Sequence, residues 1–245
     1  MPMEKILNKL HELLEYDAAK PVKDYLDSRI NQEIQELVKF GYFPNSSLIG
    51  DLLLSDISLD FLVDEKLAYV KHIENNTNSQ ELVVPFFENH PLIIPYYDVY
   101  GQLIALVGRT MLSGQQQKDL KIPKYKNTIF KKGQHLFGLN WAKEEIIKKN
   151  HVYLVEGQID IFAGFEKGIR NIVAVGSSSL SELQLTLLLR YTDNISVLFD
   201  NDEAGKKGYQ LIIEKFGKLA NFDKVDLPPH YKDLDEYLHD VDNIL

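Results

Sequence analysis

A chain of 245 residues, 44% of them hydrophobic and none of them cysteine, can build one or two buried cores, but it can have no disulfides, thiolate nucleophiles, iron–sulfur clusters or cysteine-held zinc. No run of about 18 apolar residues occurs, so no membrane helix is expected. The start, Met1-Pro2-Met3-Glu4-Lys5, lacks the basic and apolar regions of a secretory signal, so a cytosolic protein is expected.

Residues 4–16 place Ile6, Leu7, Leu10, Leu13 and Leu14 in a helical stripe. Helix is expected to continue from Ala18 to Phe40, with a break at Asp27-Ser28-Arg29-Ile30 and Asn31 as the cap of the next helix. Phe40-Gly41-Tyr42-Phe43-Pro44-Asn45 ends this run. Ser47 to Leu54 reads as a short helix, Phe61 to Val70 as helical or irregular, and Glu74 to Gln80, with three Asn, as a loop. Leu92–Asp98 and Leu103–Arg109 read as an antiparallel hairpin in which Gly101 supplies a positive φ. Residues 113–128 are polar and lysine-rich and predict a loop, extended at Pro123-Lys124-Tyr125, before a helix over 141–149.

From 151 onward the pattern alternates. Strands are predicted at 152–156, 171–175, 194–199 and 222–226, and helices at 159–167, 179–190 and 203–217, with Ser179-Leu180-Ser181-Glu182 read as a capping box. Units of this size imply right-handed crossovers and a parallel sheet. The change of rhythm puts a subdomain boundary near 150.

The net charge of −9 argues against a simple nucleic-acid coat, yet its distribution is uneven: residues 91–150 hold ten Lys/Arg against four Asp/Glu, and the rest 17 against 32. The seven histidines are scattered, which leaves a His/carboxylate zinc site a minor alternative. Three acidic pairs fall in the last 95 residues: Glu156 with Asp160, Asp200 with Asp202, and Asp233 with Asp235. Two of them begin where a buried apolar strand ends. Two residues of extended chain put Asp200 and Asp202 on one face, roughly 6.5 Å apart along the backbone. Carboxylates so placed repel unless a hard divalent cation lies between them or one takes up a proton. Each acid also has a plainer role open to it: Asp160 at a helix N-terminus, Asp200 in an Asx-turn, Asp233 as a helix cap. Two strand-end acids at one edge of a parallel sheet, followed by Gly157 and Gly205, favour chemistry over coincidence.

Glu156-Gly157-x-x-Asp160 with Asp200-x-Asp202-x-Ala204-Gly205 resembles the paired signatures of the TOPRIM fold, found in DnaG-type primases, topoisomerases and several nucleases. The preceding segments are similar to the catalytic core of bacterial DnaG-type primases. They are Tyr25-Leu26-x-x-Arg29, Phe40-Gly41-Tyr42-Phe43-Pro44, Ile94-Pro95-Tyr96-Tyr97-Asp98, Val107-Gly108-Arg109, Pro123-Lys124-Tyr125-x-Asn127 and Phe130-Lys131-Lys132-Gly133. Val175-Gly176-Ser177 parallels the family's leucine-glycine-threonine, and Asp233-Leu234-Asp235 its aspartate-proline-aspartate, with leucine in place of proline. The resemblance covers about residues 18–240. The zinc ribbon and helicase-binding domain of such primases are not expected here.

The resemblance implies an α/β fold: a TOPRIM subdomain over 151–245, with a parallel four-stranded sheet flanked by helices, preceded over 1–150 by a basic mixed α+β lobe. It implies RNA primer synthesis on a single-stranded DNA template from nucleoside triphosphates. Two or more Mg²⁺ or Mn²⁺ ions would be held by Glu156, Asp200, Asp202, Asp233 and Asp235, with Asp160 as a supporting acid. Glu156, Asp200 and Asp202 would be catalytic, and Arg109, Lys124, Lys131, Lys132 and Tyr125 would contact nucleic acid or triphosphate. The implied partners include a replicative helicase or a separate zinc-ribbon protein, in the cytoplasm of a bacterial cell or encoded by a phage. A TOPRIM nuclease and a catalytically reduced binding module of a replication complex remain as alternatives, because the acids alone do not separate polymerisation from hydrolysis. A topoisomerase is disfavoured, because no region supplies a tyrosine nucleophile domain.

Overall fold

The computed structural model describes residues 2–75 and 78–240. They form two compact units, one running to Tyr96 and resuming over Leu103–Phe130, the other made of Tyr97–Gln102 and the described residues from Lys131 on.

The first unit opens with three helices, α1 (Pro2–Glu12), α2 (Lys20–Arg29) and α3 (Gln32–Val38). Asn31 caps α3 as expected, its side chain accepting a hydrogen bond from the Ile34 amide (3.0 Å). The apolar stripes of these helices, including Ile6, Leu10, Leu26, Ile30, Ile34 and Val38, are all buried. The short strand β1 (Gly41–Tyr42) follows, then α4 (Ile49–Leu52) and α5 (Leu59–Asp64). β2 (Ala68–Asn75) and β3 (Asn78–Pro85) form an antiparallel pair. This corrects the loop expected over 74–80, of which 76–77 lie outside the described residues, and the helical or irregular reading of the segment from Ala68 to Val70. Exposed Tyr69, Lys71 and His72 leave only Ala68 buried and Val70 half-buried at the start of β2, too short an alternation for a sequence reading to detect.

β4 (Leu92–Tyr97) and β5 (Leu103–Arg109) are neighbours across the expected turn, where Gly101 has φ +81°. The polar stretch after them is not a loop. It holds α6 (Gly114–Leu120) and β6 (Tyr125–Asn127), the latter antiparallel to β5. α6 buries no side chain, so no apolar stripe announces it; a reciprocal capping box between Ser113 and Gln116 starts it. The sheet order is β1-β4-β5-β6.

In the second unit α7 (Leu139–Lys149) precedes the alternating region: β7 (Val152–Val155), α8 (Gln158–Glu166), β8 (Ile172–Ala174), α9 (Glu182–Leu188), β9 (Asn194–Val197), α10 (Glu203–Phe216), β10 (Asn221–Lys224) and α11 (Leu234–Asp240). The four strands are parallel, in the order β10-β9-β7-β8. The cap of α9 is Ser181 with Gln184, two residues later than predicted. The compact units divide at Lys131 rather than at 150. Residues 131–150 go with the sheet for a physical reason: Phe137 bridges Ala174 beside β8, the Gln184 amide donates to the His135 carbonyl (2.8 Å), and Leu139, Ala142 and Ile146 join the core of Leu154, Val173, Leu188 and Val197.

Candidate metal centre

The strand order puts β7 between β8 and β9, so the chain leaves β7 toward one side and returns on the other. That reversal opens a crevice at the carboxyl ends of β7 and β9, the usual ligand position of an open parallel sheet. Glu156 follows β7 and Asp200 lies just beyond β9, so the two strand-end acids meet there: Glu156 Oε1 accepts a hydrogen bond from the Asp200 amide (3.2 Å). Gly205 makes this loop possible, since a Cβ there would stand 2.1 Å from the Asp200 carbonyl oxygen.

All three pairs gather at this edge through hydrogen bonds between their loops. Asp160, only 7% exposed, accepts from the Gly157 amide (3.1 Å) with one oxygen and from the Asp235 amide (3.1 Å) with the other. The Asn201 amide donates to the Asp-rich segment's carbonyls at Leu227, Pro228 and Tyr231, and its backbone N–H donates to the Lys232 carbonyl. The three acid-bearing loops are thus joined pairwise, each link made by a different residue.

Capping and clustering coexist. Asp202 caps α10 by accepting from the Gly205 amide (2.9 Å), Asp233 accepts from the Glu236 amide (3.0 Å), and Asp160 closes the first turn of α8. The electrostatics show what helix capping does not require. Burial first, and then the charges of Asp200 and Asp202, push the Glu156 carboxyl up to about 7. Burial, with Asp233 and Asp200 adding repulsion, pushes Asp160 up to about 8. Lys232 lies 3.8 Å from Asp233, and the His239 ring 3.3 Å from Asp235. Among the described residues, no three His, Asp or Glu side chains already converge into a cage for an ion. An oxygen donor set in which carboxylates outnumber the nearby cations fits Mg²⁺ or Mn²⁺, which take one or two carboxylates plus water and phosphate oxygens rather than a full protein cage.

The predicted basic residues divide between the units. In the first, Arg109 lies over the Tyr25 ring, its Cζ 4.2 Å from the centroid, and donates to the Thr110 carbonyl (3.2 Å). Lys124 is exposed, its ammonium 5.5 Å from the centroid of the half-buried Tyr125 ring, and Tyr125 pairs with Arg109 across β5 and β6. In the second, Lys131 is exposed, whereas Lys132 is half-buried and donates to the Gly176 carbonyl; burial lowers its pKa. Gly176 in turn donates its amide to the Glu156 carbonyl (2.9 Å), so Lys132 belongs to the framework of the acid edge.

Sequence reading overlooked Asn201, although it sits inside the second acidic motif; the signal was an amide side chain flanked by two acids at a strand end. It also overlooked Lys126, whose ammonium donates to the Phe86 carbonyl (2.5 Å) above that residue's ring, and His90, which bonds the Pro123 carbonyl (2.8 Å) beside Lys124.

The parallel sheet with acids at its switch point defines the class, and residues 153–238 match a family model described as Toprim-like. Residues 10–143 match the model described as DNA primase catalytic core, N-terminal domain. Together with the sheet topology, this shows that the chain belongs to the DnaG-type DNA primase catalytic-core family.

The DNA primase of Aquifex aeolicus is 29% identical over 197 residues, 79% of this chain and 37% of that protein. The DNA primase of Synechococcus elongatus is 38% identical over 153 residues, 60% of this chain and 22% of its own length. The crystal structure of the zinc-binding and RNA polymerase domains of the A. aeolicus primase superposes with a TM-score of 0.74 at 29% identity, over 96% of this chain and 56% of that one. The chain therefore spans roughly a fifth to somewhat over a third of the length of these curated relatives.

Proposed function

We propose that this chain is the polymerising core of a primase, joining ribonucleotides on a single-stranded DNA template. A 3′-hydroxyl of the growing primer attacks the α-phosphate of a nucleoside triphosphate, and pyrophosphate leaves. The observation that supports this most is the meeting of Glu156, Asp160, Asp200 and the Asp233–Asp235 segment at one sheet edge, tied loop to loop. Glu156, Asp200 and Asp202 would hold divalent ions, Mg²⁺ or Mn²⁺, which when bound would supply positive charge for the attacking and leaving oxygens.

Glu156, Asp200 and Asp202 provide the carboxylates for these ions, with Asp233 and Asp235 completing the set. Asp160 supports them: with both oxygens committed to backbone amides, it orients loops rather than ligating. Arg109, Lys124 and Lys131 provide contacts for template or triphosphate phosphates, and Lys132 holds the Gly176 turn next to Glu156. In this reading a replicative helicase or a zinc-ribbon protein is a candidate partner for selection of the template start.

The test is incubation with single-stranded DNA, Mn²⁺ and labelled ribonucleotides. Extension products are expected, and Asp200→Asn or Asp202→Asn should reduce them at least about 100-fold, as loss of a principal electrostatic contributor does. Degradation of the DNA instead would establish the TOPRIM nuclease reading. Full extension by either variant would overturn the assignment of the acids.

A further inference from the structure

We propose that Asn201 is a positioning residue of the metal centre, its amide setting the third acid pair relative to the second. The inference rests on the reading that these acids hold a divalent cation.

Asn201 lies between Asp200 and Asp202 and is half-buried. Its NH₂ group faces three carbonyl oxygens, those of Leu227 (3.2 Å), Pro228 (3.2 Å) and Tyr231 (2.8 Å), and its backbone N–H reaches the Lys232 carbonyl (2.8 Å). All four acceptors belong to the irregular segment that runs from β10 to Asp233. Two amide hydrogens serve three acceptors, so the group is saturated as a donor. A hydroxyl could serve one of these carbonyls, and a methyl none.

The other bonds at the far end of this segment are local: the Lys232 amide donates to Glu236 (2.7 Å), the Tyr231 amide to the Pro228 carbonyl (3.0 Å), and the Tyr231 ring packs on Tyr237. Leu234 stands between the two acids, so no ring fixes φ there, and α11 begins at once. Asp235 is anchored from the other direction, through its amide to Asp160. Asp233 caps the following turn and lies two residues after Tyr231, whose carbonyl the Asn201 side chain holds at 2.8 Å; the main-chain bond from Asn201 to the Lys232 carbonyl persists in any variant. Removing the amide leaves the carboxylates and the main-chain bond to Lys232 in place but releases the Leu227, Pro228 and Tyr231 carbonyls, loosening the approach of Asp233 to the end of β9. Partners that orient ligands without touching a metal typically change metal affinity by about 10–100-fold.

The experiment is a Mn²⁺ titration followed by electron paramagnetic resonance on the full chain, for the parent, Asn201→Ala, Asp233→Asn and the double variant. Hydrogen exchange of the metal-free proteins supplies a second readout. Asn201→Ala should weaken Mn²⁺ binding about 10–100-fold, and this loss should largely vanish in the Asp233→Asn background. Amides over 231–236 should exchange faster while those of β7 and β9 keep their protection.

Parent-like Mn²⁺ affinity in folded Asn201→Ala overturns the proposal, as does an equal loss in both backgrounds. If Asn201→Ala does not fold, Asn201→Ser, which keeps one donor, carries the same comparison and should show a smaller loss. Failure of the underlying reading looks different: the parent chain would bind no Mn²⁺, or Asp200→Asn would bind it as the parent does.

Discussion

Among single residues, Glu156 and Asp160 hold their protons more tightly in the fold than free carboxyl groups do. The Glu156 carboxyl lies near 7 against an ordinary 4.5, and Asp160 near 8 against 3.8. An acid with a raised folded value favours the fold while protonated. Its contribution is complete below the ordinary value and is lost as pH rises through the interval to the folded value. Glu156 therefore weakens the metal-free protein between about pH 4.5 and 7. Glu156→Gln keeps an oxygen for the Asp200 amide and carries no charge. It should raise the melting temperature of the metal-free chain at pH 8, where the parent carboxylate is ionised, and change it little at pH 4.5. A uniform shift at both pH values would sink this account. The acids could be read from the sequence because their spacing is local. The side chain of Asn201 could not, because its three acceptors lie 26 to 30 residues away and are identified only by the fold.

Secondary-structure elements were legible wherever one face is buried. β7, β8 and β9 are short apolar runs between turn signals, and each fell within a predicted strand. α6 was missed for the opposite reason, since it buries no side chain and its start comes from capping, while β2 and β3 are ordered by pairing with each other. At this scale the close approach at Gly205 is the most demanding constraint. A methyl group there must displace backbone at Asp200, because the oxygen it meets is a carbonyl and not the tip of a mobile side chain. Gly205→Ala should cost about 1–3 kcal/mol, the usual range for overpacking, seen as a lower urea midpoint at unchanged slope. Because the displaced atoms carry Asp200, Mn²⁺ binding should fall as well. A variant with parent-like midpoint and Mn²⁺ affinity would show that the loop relaxes freely.

For the whole molecule, the charge asymmetry noted in the sequence becomes a division of labour. Carboxylates crowd one edge of the second unit's sheet, while Arg109 and Lys124 stand on or beside β5 and β6 of the first. Their proposed contact with template phosphates predicts that Arg109→Ala or Lys124→Ala weakens binding of a single-stranded oligonucleotide. Each should also reduce the steepness of log K against log salt by about 0.7, one phosphate's worth of released counterion for a single strand. Fluorescence anisotropy across a KCl series measures both, and an unaltered slope would remove these residues from the interface.

The bond between Asp160 and the Asp235 amide spans 75 residues and has a consequence for the order of synthesis. A ribosome makes the acid early in the second unit and the Asp235 amide that bonds it 75 residues later. Throughout that interval the Asp160 carboxyl has only its local bond from the Gly157 amide, and its second acceptor oxygen awaits the distant one. Every strand of the second sheet has been translated before the amide that completes the pocket exists. The cluster of acids therefore closes only after all four strands of that sheet have been made.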